Sequence, residues 1–309
     1  MTSAAIEVED LRKGYRGFRA RTVWALNGVS FRVERGTIFG LIGQNGAGKT
    51  TLVKILLGLS ESTGGSARVL ALSPRNNAAR RRLGYLPEQM RIPDYFKAAD
   101  FLRYMAGLNG VDPRCLGRRI PALLEQVGLA GIHKSVRAYS KGMQQRLGLA
   151  QALINNPEVL FLDEPTDGLD PLGRKDVRDL LIRLRSEGKT IFLNSHLLSE
   201  IELVCDEIVI LNKGKVAQRA TPAGFTRGTG EYLVCVATAS DPVRAAVADL
   251  LGGEVVWREN SFRFVPRNLA QLNCVLDRLR GVPVEIESVE PIRLSLEEFF
   301  LRVVAEQGS

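Results

Sequence analysis

Residues 43–50 read Gly43-Gln44-Asn45-Gly46-Ala47-Gly48-Lys49-Thr50, and they form the most informative motif in the 309-residue chain. It matches, without a gap, two glycines separated by four residues, the second followed by lysine and then serine or threonine. Glycines allow backbone N–H groups to turn inward around an anion, and a helix that starts there adds the positive end of its dipole. Lys49 can then reach the β- and γ-phosphates of a nucleotide, and Thr50 can ligate Mg²⁺. The stretch therefore predicts a phosphate-binding loop, with a chance glycine-rich turn as the alternative.

The flanking residues favour the loop over the chance turn. Residues 37–42 form a short, nearly continuous apolar run, which is typical of a strand buried on both faces of a parallel sheet. Residues 51–57 follow the loop with helical spacing. Further strand-like apolar runs alternate with helical segments along the chain, at 159–162, 190–194 and 207–211. This alternation predicts an α/β fold with a mainly parallel sheet. Before the run at 159–162, residues 100–155 are rich in helix patterns, with Asp100 suited to cap one helix and Pro121 to open another.

Two carboxylates, Asp163 and Glu164, follow the apolar run 159–162. A strand in this position delivers both side chains to its polar end. Asp163 is predicted to hold Mg²⁺, directly or through water, and Glu164 to polarise the attacking water. Alone, the pair would be read as a surface turn, but together with a phosphate-binding loop it predicts nucleotide hydrolysis.

The stretch Tyr139-Ser140-Lys141-Gly142-Met143-Gln144-Gln145-Arg146 resembles the signature motif of the ABC ATPases, whose common form is Leu-Ser-Gly-Gly-Gln. Ser140 and Gly142 match, and the departures, Lys141 among them, resemble the variant found in many ABC exporter ATPases. The resemblance implies that this motif begins a helix and contacts the γ-phosphate of ATP bound to the other subunit. A serine helix cap is the alternative reading, and the role of Lys141 stays open.

Two positions outside the motifs match the family by type and order. Tyr15 resembles the aromatic residue that stacks on adenine, with Trp24 as a competing candidate. Gln89 resembles the glutamine that reaches Mg²⁺ and the attacking water. In the family the segment after this glutamine meets the membrane subunit.

Two further positions lie after the acidic pair. The stretch 168–171, which contains Asp170, resembles the family's loop that communicates between two ATP sites. The same stretch is also typical of a helix start. His196 resembles the family's histidine switch, which contacts the γ-phosphate and helps to position Glu164 and water. A lone histidine is otherwise a structural hydrogen-bonding residue, and we assign that role to His133.

The resemblance covers about residues 5–222 and implies a P-loop NTPase of the ABC ATPase type, with a helical subdomain at about 90–156. We expect this domain to span 1–224 and to bind ATP and Mg²⁺. Glu164, His196 and Gln89 are the expected catalytic residues, and Thr50, Gln89 and Asp163 the expected metal ligands. The expected nucleotide-binding residues are Gly43, Gln44, Asn45, Gly46, Ala47, Gly48, Lys49, Thr50, Thr51, Tyr15, Ser140, Gly142 and Asp170.

The charge distribution suggests a second domain at 225–309. The whole chain carries a net charge of +8, of which residues 225–309 contribute −3 and residues 1–224 contribute +11. The tail has a βαββαβ pattern, with strands at 231–237, 254–258, 261–265 and 283–289 and helices at 242–251 and 268–280, which predicts a small α+β, ferredoxin-like domain. A final helix starts at Ser295 with a capping-box pattern and resembles the ending of drug-, antibiotic- and polysaccharide-type exporter ATPases.

The function implied by the resemblance is to hydrolyse ATP and so power a separate transmembrane permease, with export favoured over import. No apolar run approaches the length of a membrane helix, and the acidic start does not resemble a signal peptide, so we expect a cytoplasmic protein held at the cytoplasmic face of the cell membrane by its permease. One complete set of motifs suggests a homodimer, although a paralogous partner is an alternative.

The positive charge of residues 1–224 is also compatible with a soluble ABC ATPase that acts on nucleic acid, ribosomes or cofactor assembly. The single nucleotide domain and the lack of a zinc motif disfavour nucleic acid as a partner. A regulatory module whose ATPase gates assembly is the third reading.

Overall fold

The computed structural model describes residues 4–16, 22–225, 228–251, 255–293 and 295–306. The chain divides into two compact units. The first contains the chain up to Pro222 and also the residues from Phe300 on. The second is Ala223–Phe299.

A six-stranded sheet forms the centre of the first unit, in the order β5-β6-β7-β3-β8-β9. Its strands are β3 Ile38–Ile42, β5 Leu83–Leu86, β6 Val159–Asp163, β7 Thr190–Asn194, β8 Glu207–Asn212 and β9 Lys215–Ala220. All pairs are parallel except β8 with β9, which are antiparallel neighbours. Every residue of β3, β6 and β7 is buried, as a strand covered on both faces requires. The predicted α/β fold with a mainly parallel sheet is confirmed.

A second, antiparallel sheet has the order β2-β1-β4. Its strands are β1 Ala4–Arg16, β2 Thr22–Glu34 and β4 Gly64–Val69. Phe31 of this sheet stacks on Phe39 of β3, with ring centroids 5.3 Å apart. Phe192 of β7 packs against both rings and against Phe161 of β6. These four buried rings join the two sheets into one core, each stabilising it by roughly 1.5–3 kcal/mol.

The helices of the first unit are α1 Lys49–Leu56, α2 Asn77–Arg80, α3 Ala98–Leu108, α4 Pro113–Gln126, α5 Lys141–Leu153, α6 Pro171–Ser186 and α7 Leu198–Val204. A short 3-10 helix at Val136–Ala138 lies between α4 and α5, and α8 Pro222–Phe225 lies at the junction of the two units. From α3 to α5, all the regular elements of the described chain are therefore helices.

Two predicted helix starts in this segment are wrong. Asp100 lies in the first turn of α3, where it pairs with Arg103 instead of capping the helix. Pro121 lies inside α4, because Asp112 already caps that helix, accepting a hydrogen bond from the Arg114 N–H at 2.9 Å, and Pro113 holds its first position. Aspartate and proline do occur at helix starts, but α3 already begins at Ala98 and α4 at Pro113.

The second unit contains β10 Gly228–Val236, α9 Asp241–Leu251, β11 Val256–Arg258, β12 Ser261–Phe264, α10 Leu269–Arg280 and β13 Ile286–Arg293. Its antiparallel sheet has the order β11-β12-β10-β13, and its core includes Val234, Phe262 and Val275. This order confirms the predicted ferredoxin-like arrangement. The predicted strand 254–258 is shorter than expected, and its residue 254 lies outside the described residues.

The last helix is α11 Leu296–Glu306. Ser295 Oγ accepts a hydrogen bond from the Glu298 N–H at 3.2 Å, and Glu298 Oε2 accepts one from the Ser295 N–H at 2.9 Å. The predicted capping box is confirmed. Across the described part of the chain, no helix has the length and apolarity needed to cross a membrane.

Candidate functional site

The loop Gly43–Gly48 joins the central strand β3 to α1. The Lys49 ammonium donates hydrogen bonds to the carbonyl oxygens of Gly43, at 2.5 Å, and Gln44, at 3.2 Å. Helix α1 begins at Lys49, has no side-chain cap and carries no acidic residue in its first turn. The N–H groups of its first turn and the positive end of its dipole therefore face the loop and can bind phosphate. Thr50 and Thr51 lie in this first turn, so their N–H groups are among them.

At two positions of the loop, neighbouring backbone atoms leave no space for a side chain, so that only glycine fits. A Cβ on Gly43 would lie 2.4 Å from the Leu211 carbonyl oxygen at the end of β8, and one on Gly48 would lie 2.3 Å from the Ala25 carbonyl oxygen in β2. Gly48 also has φ +107°, a conformation that L side chains rarely adopt. The Gly214 N–H donates to the Ala47 carbonyl oxygen at 3.0 Å. The loop is thus held between β2 and the β8–β9 turn.

Acidic side chains gather opposite Lys49. Asp163 ends β6 and is 7% exposed, and Asn194 donates a side-chain hydrogen bond to it. Burial raises the pKa of Asp163; the charges of Glu88 and Glu164 act in the same direction, and Asn194 and Lys49 oppose them. Burial lowers the pKa of Lys49 against the attraction of Glu164, Asp163 and Glu88. One cation and three carboxylates therefore lie close enough to influence one another.

Glu164 is held by its backbone as well as by its side chain. Its φ is +52°, in the left-handed region. Its N–H donates to the Asn194 carbonyl oxygen at 2.8 Å, and its carbonyl oxygen accepts from Gln145 Nε2, also at 2.8 Å. Gln145 is buried in α5. The structure therefore links the carboxylate-bearing turn to the helix that follows Ser140.

The Glu164 carboxylate accepts two hydrogen bonds and lies close to an imidazole nitrogen. Oε1 accepts from the His196 N–H at 2.9 Å, and Oε2 accepts from Ser195 Oγ at 3.1 Å. His196 Nδ1 lies 2.8 Å from Oε2, while the rest of its side chain is 65% exposed. The carboxylate is fixed in one orientation, and an exposed imidazole contacts it directly, which suits a general base and its positioning partner.

Ser140 and Asp170 cap neighbouring helices. Ser140 Oγ accepts from the Met143 N–H at 3.2 Å at the start of α5, and Asp170 Oδ1 accepts from the Gly173 N–H at 2.8 Å at the start of α6. A Cβ on Gly142 would lie 3.0 Å from the Leu169 side chain, so the two helix starts are in contact. The cap readings of both residues hold, and they are compatible with the roles that the family resemblance implies.

Lys141 projects along this contact. Its ammonium lies 2.7 Å from Asp167 Oδ2, and a Cβ on Gly168 would collide with its side chain. The hydrogen bond from Lys141 lowers the pKa of Asp167, and the charge of His196 acts in the same direction. The charge of Lys141 is therefore engaged within its own chain.

The two candidate aromatic residues lie at the exposed end of the β1–β2 pair. Tyr15 is 45% exposed and Trp24 is 46% exposed, and the Lys13 ammonium lies 5.1 Å from the centre of the Tyr15 ring. Ala25, next to Trp24, packs on Gly48, so this end of the sheet lies beside the phosphate-binding loop. Both rings remain candidates for stacking on a base.

Gln89 is exposed and lines a cleft of about 450 Å³ together with Tyr85 and Met90. Its neighbour Glu88, which sequence reasoning did not single out, acts electrostatically on Asp163 and Lys49. Sequence reasoning also missed Gln145. The only available signal was a polar residue inside a helix that the signature motif begins.

Oxygen atoms suited to Mg²⁺ are present at the end of β6. Asn194 Oδ1 is buried without a hydrogen-bond partner in the described part of the chain, and it neighbours the buried Asp163 carboxylate. Among the described residues no group of three or more His, Cys, Asp or Glu side chains is placed to hold a metal ion. Mg²⁺ is commonly held by one or two carboxylates together with substrate phosphates, so the residues fit that mode of binding.

Comparison with known proteins places these features in a family. The family model described as ABC transporter matches residues 26–167. An uncharacterized ABC transporter ATP-binding protein of Synechocystis sp. is 38% identical over 309 residues, which cover 98% of this chain and 85% of that protein. A daunorubicin resistance ATP-binding protein of Streptomyces coeruleorubidus is 34% identical over 313 residues, covering 99% and 98%. The solved structure of an ATP-binding subunit of an ABC transporter matches with a TM-score of 0.64 and 32% identity, over 72% of this chain and 91% of that one.

Proposed function

Because this chain belongs to the family of ABC transporter ATP-binding proteins, we propose that it powers export through a separate membrane permease by closing as a dimer around ATP. It is an ATP-binding, ATP-hydrolysing subunit. The direction of transport is a proposal supported by the similarity to a daunorubicin resistance protein along almost the whole chain.

The observation that carries the proposal is the arrangement around Glu164. Two hydrogen bonds and the His196 imidazole hold its carboxylate, while Lys49 lies within electrostatic reach and the N–H groups at the start of α1 can bind the phosphates. We propose that Glu164 accepts the proton of the attacking water and that His196 positions Glu164 and contacts the γ-phosphate. Lys49 stabilises the charge that develops on the phosphate oxygens.

Thr50 and Asp163 would hold Mg²⁺, with Gln89 joining them. The ion supplies charge neutralisation to the β- and γ-phosphates when it is bound. Thr50 lies in the first turn of α1, directly after the phosphate-binding loop, and Asp163 lies at the end of β6, where its charge acts on Lys49.

Each ATP site is proposed to be shared between two subunits. Ser140 and Gly142 lie at the start of α5, packed on the loop that leads to Asp170, which leaves the positive end of α5 to face a neighbouring subunit. Closure of a dimer would bring these groups to the partner's γ-phosphate, with Asp170 between the two sites. A homodimer satisfies this arrangement, and a paralogous partner with the same motifs satisfies it equally.

We propose that the permease docks beside Gln89, and that this docking holds the protein at the cytoplasmic face of the cell membrane. The cleft of about 450 Å³ at Gln89 is lined partly by Met90 and Met105, adaptable side chains that suit an inserted segment. The exposed rings of Tyr95 and Tyr104 both pack in tilted contacts against Phe96, which is close to Gln89 in sequence. Apolar exposure of this kind is typical of an interaction surface.

We propose residues 1–224 as the ATPase domain, with its helical part at about 90–156, and residues 225–309 as an accessory or regulatory domain. The separate core of the second unit supports this division. A T-shaped contact with Phe299, at 5.0 Å between ring centroids, supports placing Phe225 in the second domain, although the residues from Phe300 on group with the first unit.

Glu164→Gln tests the proposal. We expect hydrolysis to fall by about 10²–10⁴-fold, because the general base is lost, while ATP binding is retained and the dimer is trapped closed. The tagged variant is purified from detergent-solubilised membranes with ATP present, and Glu202→Gln on α7 serves as the matched control. Co-purification of a polytopic membrane protein with the trapped dimer supports the transporter subunit. Recovery of nucleic acid or soluble proteins alone favours the soluble ABC ATPase instead, and full turnover by Glu164→Gln contradicts the catalytic assignment.

A further inference from the structure

A large cleft lies away from the proposed ATP site. Its volume is about 930 Å³, and α4, the end of α5, the end of α6 and the turn before β7 form its walls. Its charged lining residues are Arg118, Arg119, Arg183, Lys189, Glu125 and Glu187. We call it the basic cleft.

The cations of the basic cleft are not neutralised by ion pairs. Elsewhere arginines contact carboxylates closely, as Arg82 does with Glu158 at 2.5 Å and Arg219 with Glu207 at 2.6 Å. Over the described ranges of the chain, no ion pair joins a cation of this cleft to a carboxylate, and four cations face two carboxylates. The cleft therefore has an excess of positive charge available to a ligand.

Two of these cations are fixed by neutral acceptors. Arg119 donates to the carbonyl oxygens of Leu153, at 2.7 Å, and Ile154, at 2.5 Å, and Lys189 donates to Asn156 Oδ1 at 2.6 Å. Burial lowers the pKa of Lys189; the charges of Glu187 and Glu158 oppose this shift and the charge of Arg119 adds to it. Two like charges are thus held close together in a partly buried place, where an anion between them would relieve their repulsion.

The shape of the cleft indicates the kind of anion. A volume of about 930 Å³ is at the upper end of small-molecule sites and exceeds that of an inorganic ion. Buried Leu153 and Leu184 provide an apolar wall beside the cations. Guanidinium groups match the oxygen geometry of phosphate, and the apolar wall suits an attached organic group.

The position of the cleft connects it with ATP hydrolysis. Helix α5 runs from Lys141, next to its cap Ser140, to Leu153 in the cleft wall. Strand β7 runs from the residue after Lys189 to Asn194, which contacts Asp163. A strand of five residues spans about 16 Å, so the cleft lies at the opposite edge of the sheet from the proposed ATP site. We propose that the basic cleft is a regulatory site for a phosphate ester, whose binding is transmitted to the ATP site through α5 and β7.

Cys115 provides a direct measurement, because it is exposed and lines the basic cleft, while exposed Cys274 lies in the second unit. The full-length protein, with its nucleotide site saturated by ADP, is alkylated with N-ethylmaleimide, and each cysteine peptide is quantified by mass spectrometry. The probes are fructose 1,6-bisphosphate and vesicles containing phosphatidic acid, compared with sodium sulfate and phosphatidylcholine vesicles. At about ten times Kd, the rate at Cys115 falls about tenfold, while the rate at Cys274 is unchanged.

Variants separate a specific site from general charge attraction. Arg183→Gln and Lys189→Gln each weaken the protecting probe by about 10- to 100-fold, because a charge-assisted hydrogen bond is lost. Lys175→Gln, an exposed position on α6 outside the cleft, retains full protection. Protection by the bisphosphate identifies a soluble ligand, and protection by the phosphatidic acid vesicles identifies a lipid headgroup. Equal protection by sulfate, or protection lost in Lys175→Gln, overturns the proposal, as does the absence of protection by both phosphate probes.

The regulatory part is tested by ATP hydrolysis. The probe that protects Cys115 is expected to change kcat in the unmodified protein and to leave it unchanged in Arg183→Gln. Protection without any change in hydrolysis overturns regulation but leaves the binding site. Since alkylation does not depend on hydrolysis, failure of the cleft and failure of the proposed ATPase mechanism give different results.

Discussion

Glu164 adopts a backbone conformation that L residues other than Asn and Asp rarely occupy, with φ +52°. Strain of this kind costs about 1–3 kcal/mol and persists only when neighbours hold it. Here Asn194 accepts from the Glu164 N–H and Gln145 donates to its carbonyl oxygen. The same backbone conformation that causes the strain directs the Glu164 carboxylate towards Ser195 and His196.

Gln145→Ala tests this arrangement. The buried Glu164 carbonyl would lose its donor, so we expect the free energy of unfolding to fall by about 1–3 kcal/mol. Displacement of the carboxylate is expected to lower kcat by about 10²-fold, with KM for ATP unchanged because the phosphate-binding loop is not altered. Urea unfolding and steady-state hydrolysis measure the two effects.

Gln144→Ala is the matched control, since its half-buried side chain precedes Gln145 in the same helix. It should leave both quantities near their original values. Equal losses in the two variants would assign the effect to α5 in general and contradict a specific role for Gln145.

At this scale, the sequence predicted the residues that lie in contiguous motifs. The loop around Lys49, the end of β6 and the segment leading to His196 meet at one edge of the sheet as expected. Gln145 and Glu88 were not predicted, because their importance depends on which backbone or charge they approach in three dimensions. The family resemblance singled out Gln89, whose side chain lines the neighbouring cleft, whereas the charge that acts on Asp163 belongs to Glu88.

Among the structural elements, the edge of the sheet opposite the ATP site is held by a group of charges. Glu158, just before β6, accepts hydrogen bonds from Arg82, just before β5, at 2.5 and 2.7 Å, and from Arg35, between β2 and β3, at 3.2 Å. The hydrogen bond from Arg82 lowers the pKa of Glu158, and Arg35 adds to this lowering. One carboxylate thereby connects the starts of two strands and a turn.

Glu158→Gln is expected to lower the free energy of unfolding by about 1 kcal/mol at pH 7, since the group is partly exposed and solvent screens it. The pKa of Glu158 is lower in the folded than in the unfolded state, so its stabilisation is present above the unfolded value of about 4.3 and is lost as pH falls through the folded value. Urea unfolding measures the free energy of unfolding of the unmodified protein and of Glu158→Gln. The difference between the two values should be smaller near pH 4 than at pH 7. A difference independent of pH, or an equal effect in Glu202→Gln, would contradict the ion-pair explanation.

The sequence predicted strands with continuous apolar runs better than it predicted helix ends. β3, β6 and β7 are buried along their whole length, so their apolar pattern is distinctive. Helix starts depend on short polar signals that recur. Asp112 with Pro113 begins α4, so that Pro121, which carries the same local signal, falls inside the helix.

Across the whole molecule, the two compact units have separate apolar cores. Val275 is fully buried in the core of the second unit, whereas Val265 is exposed. A unit of this size has a stability of roughly 4–12 kcal/mol, comparable with the penalty for one unpaired buried charge. The second unit is therefore open to selective disruption.

Val275→Asp is expected to lower the Tm of the second unit by about 12–40 °C, because an unpaired buried charge costs about 3–5 kcal/mol. Differential scanning calorimetry should show two transitions, of which only one moves, and ATP binding should be retained. Val265→Asp should leave both transitions in place. A single transition that shifts as a whole in Val275→Asp would show that the two units unfold together.

The central position of β3 has a kinetic consequence. Its neighbours β7 and β8 begin about 150 residues later in the chain, so the hydrogen-bonding edges of Ile38–Ile42 have no native partner during the first part of synthesis. At about 5–20 residues per second, a ribosome takes about 8–30 s to cover that interval. Pairing across such a sequence separation is intrinsically slow, and an apolar strand left unpaired is prone to aggregate. The strand that leads into the phosphate-binding loop is therefore open to aggregation until more than half of the chain has been synthesised.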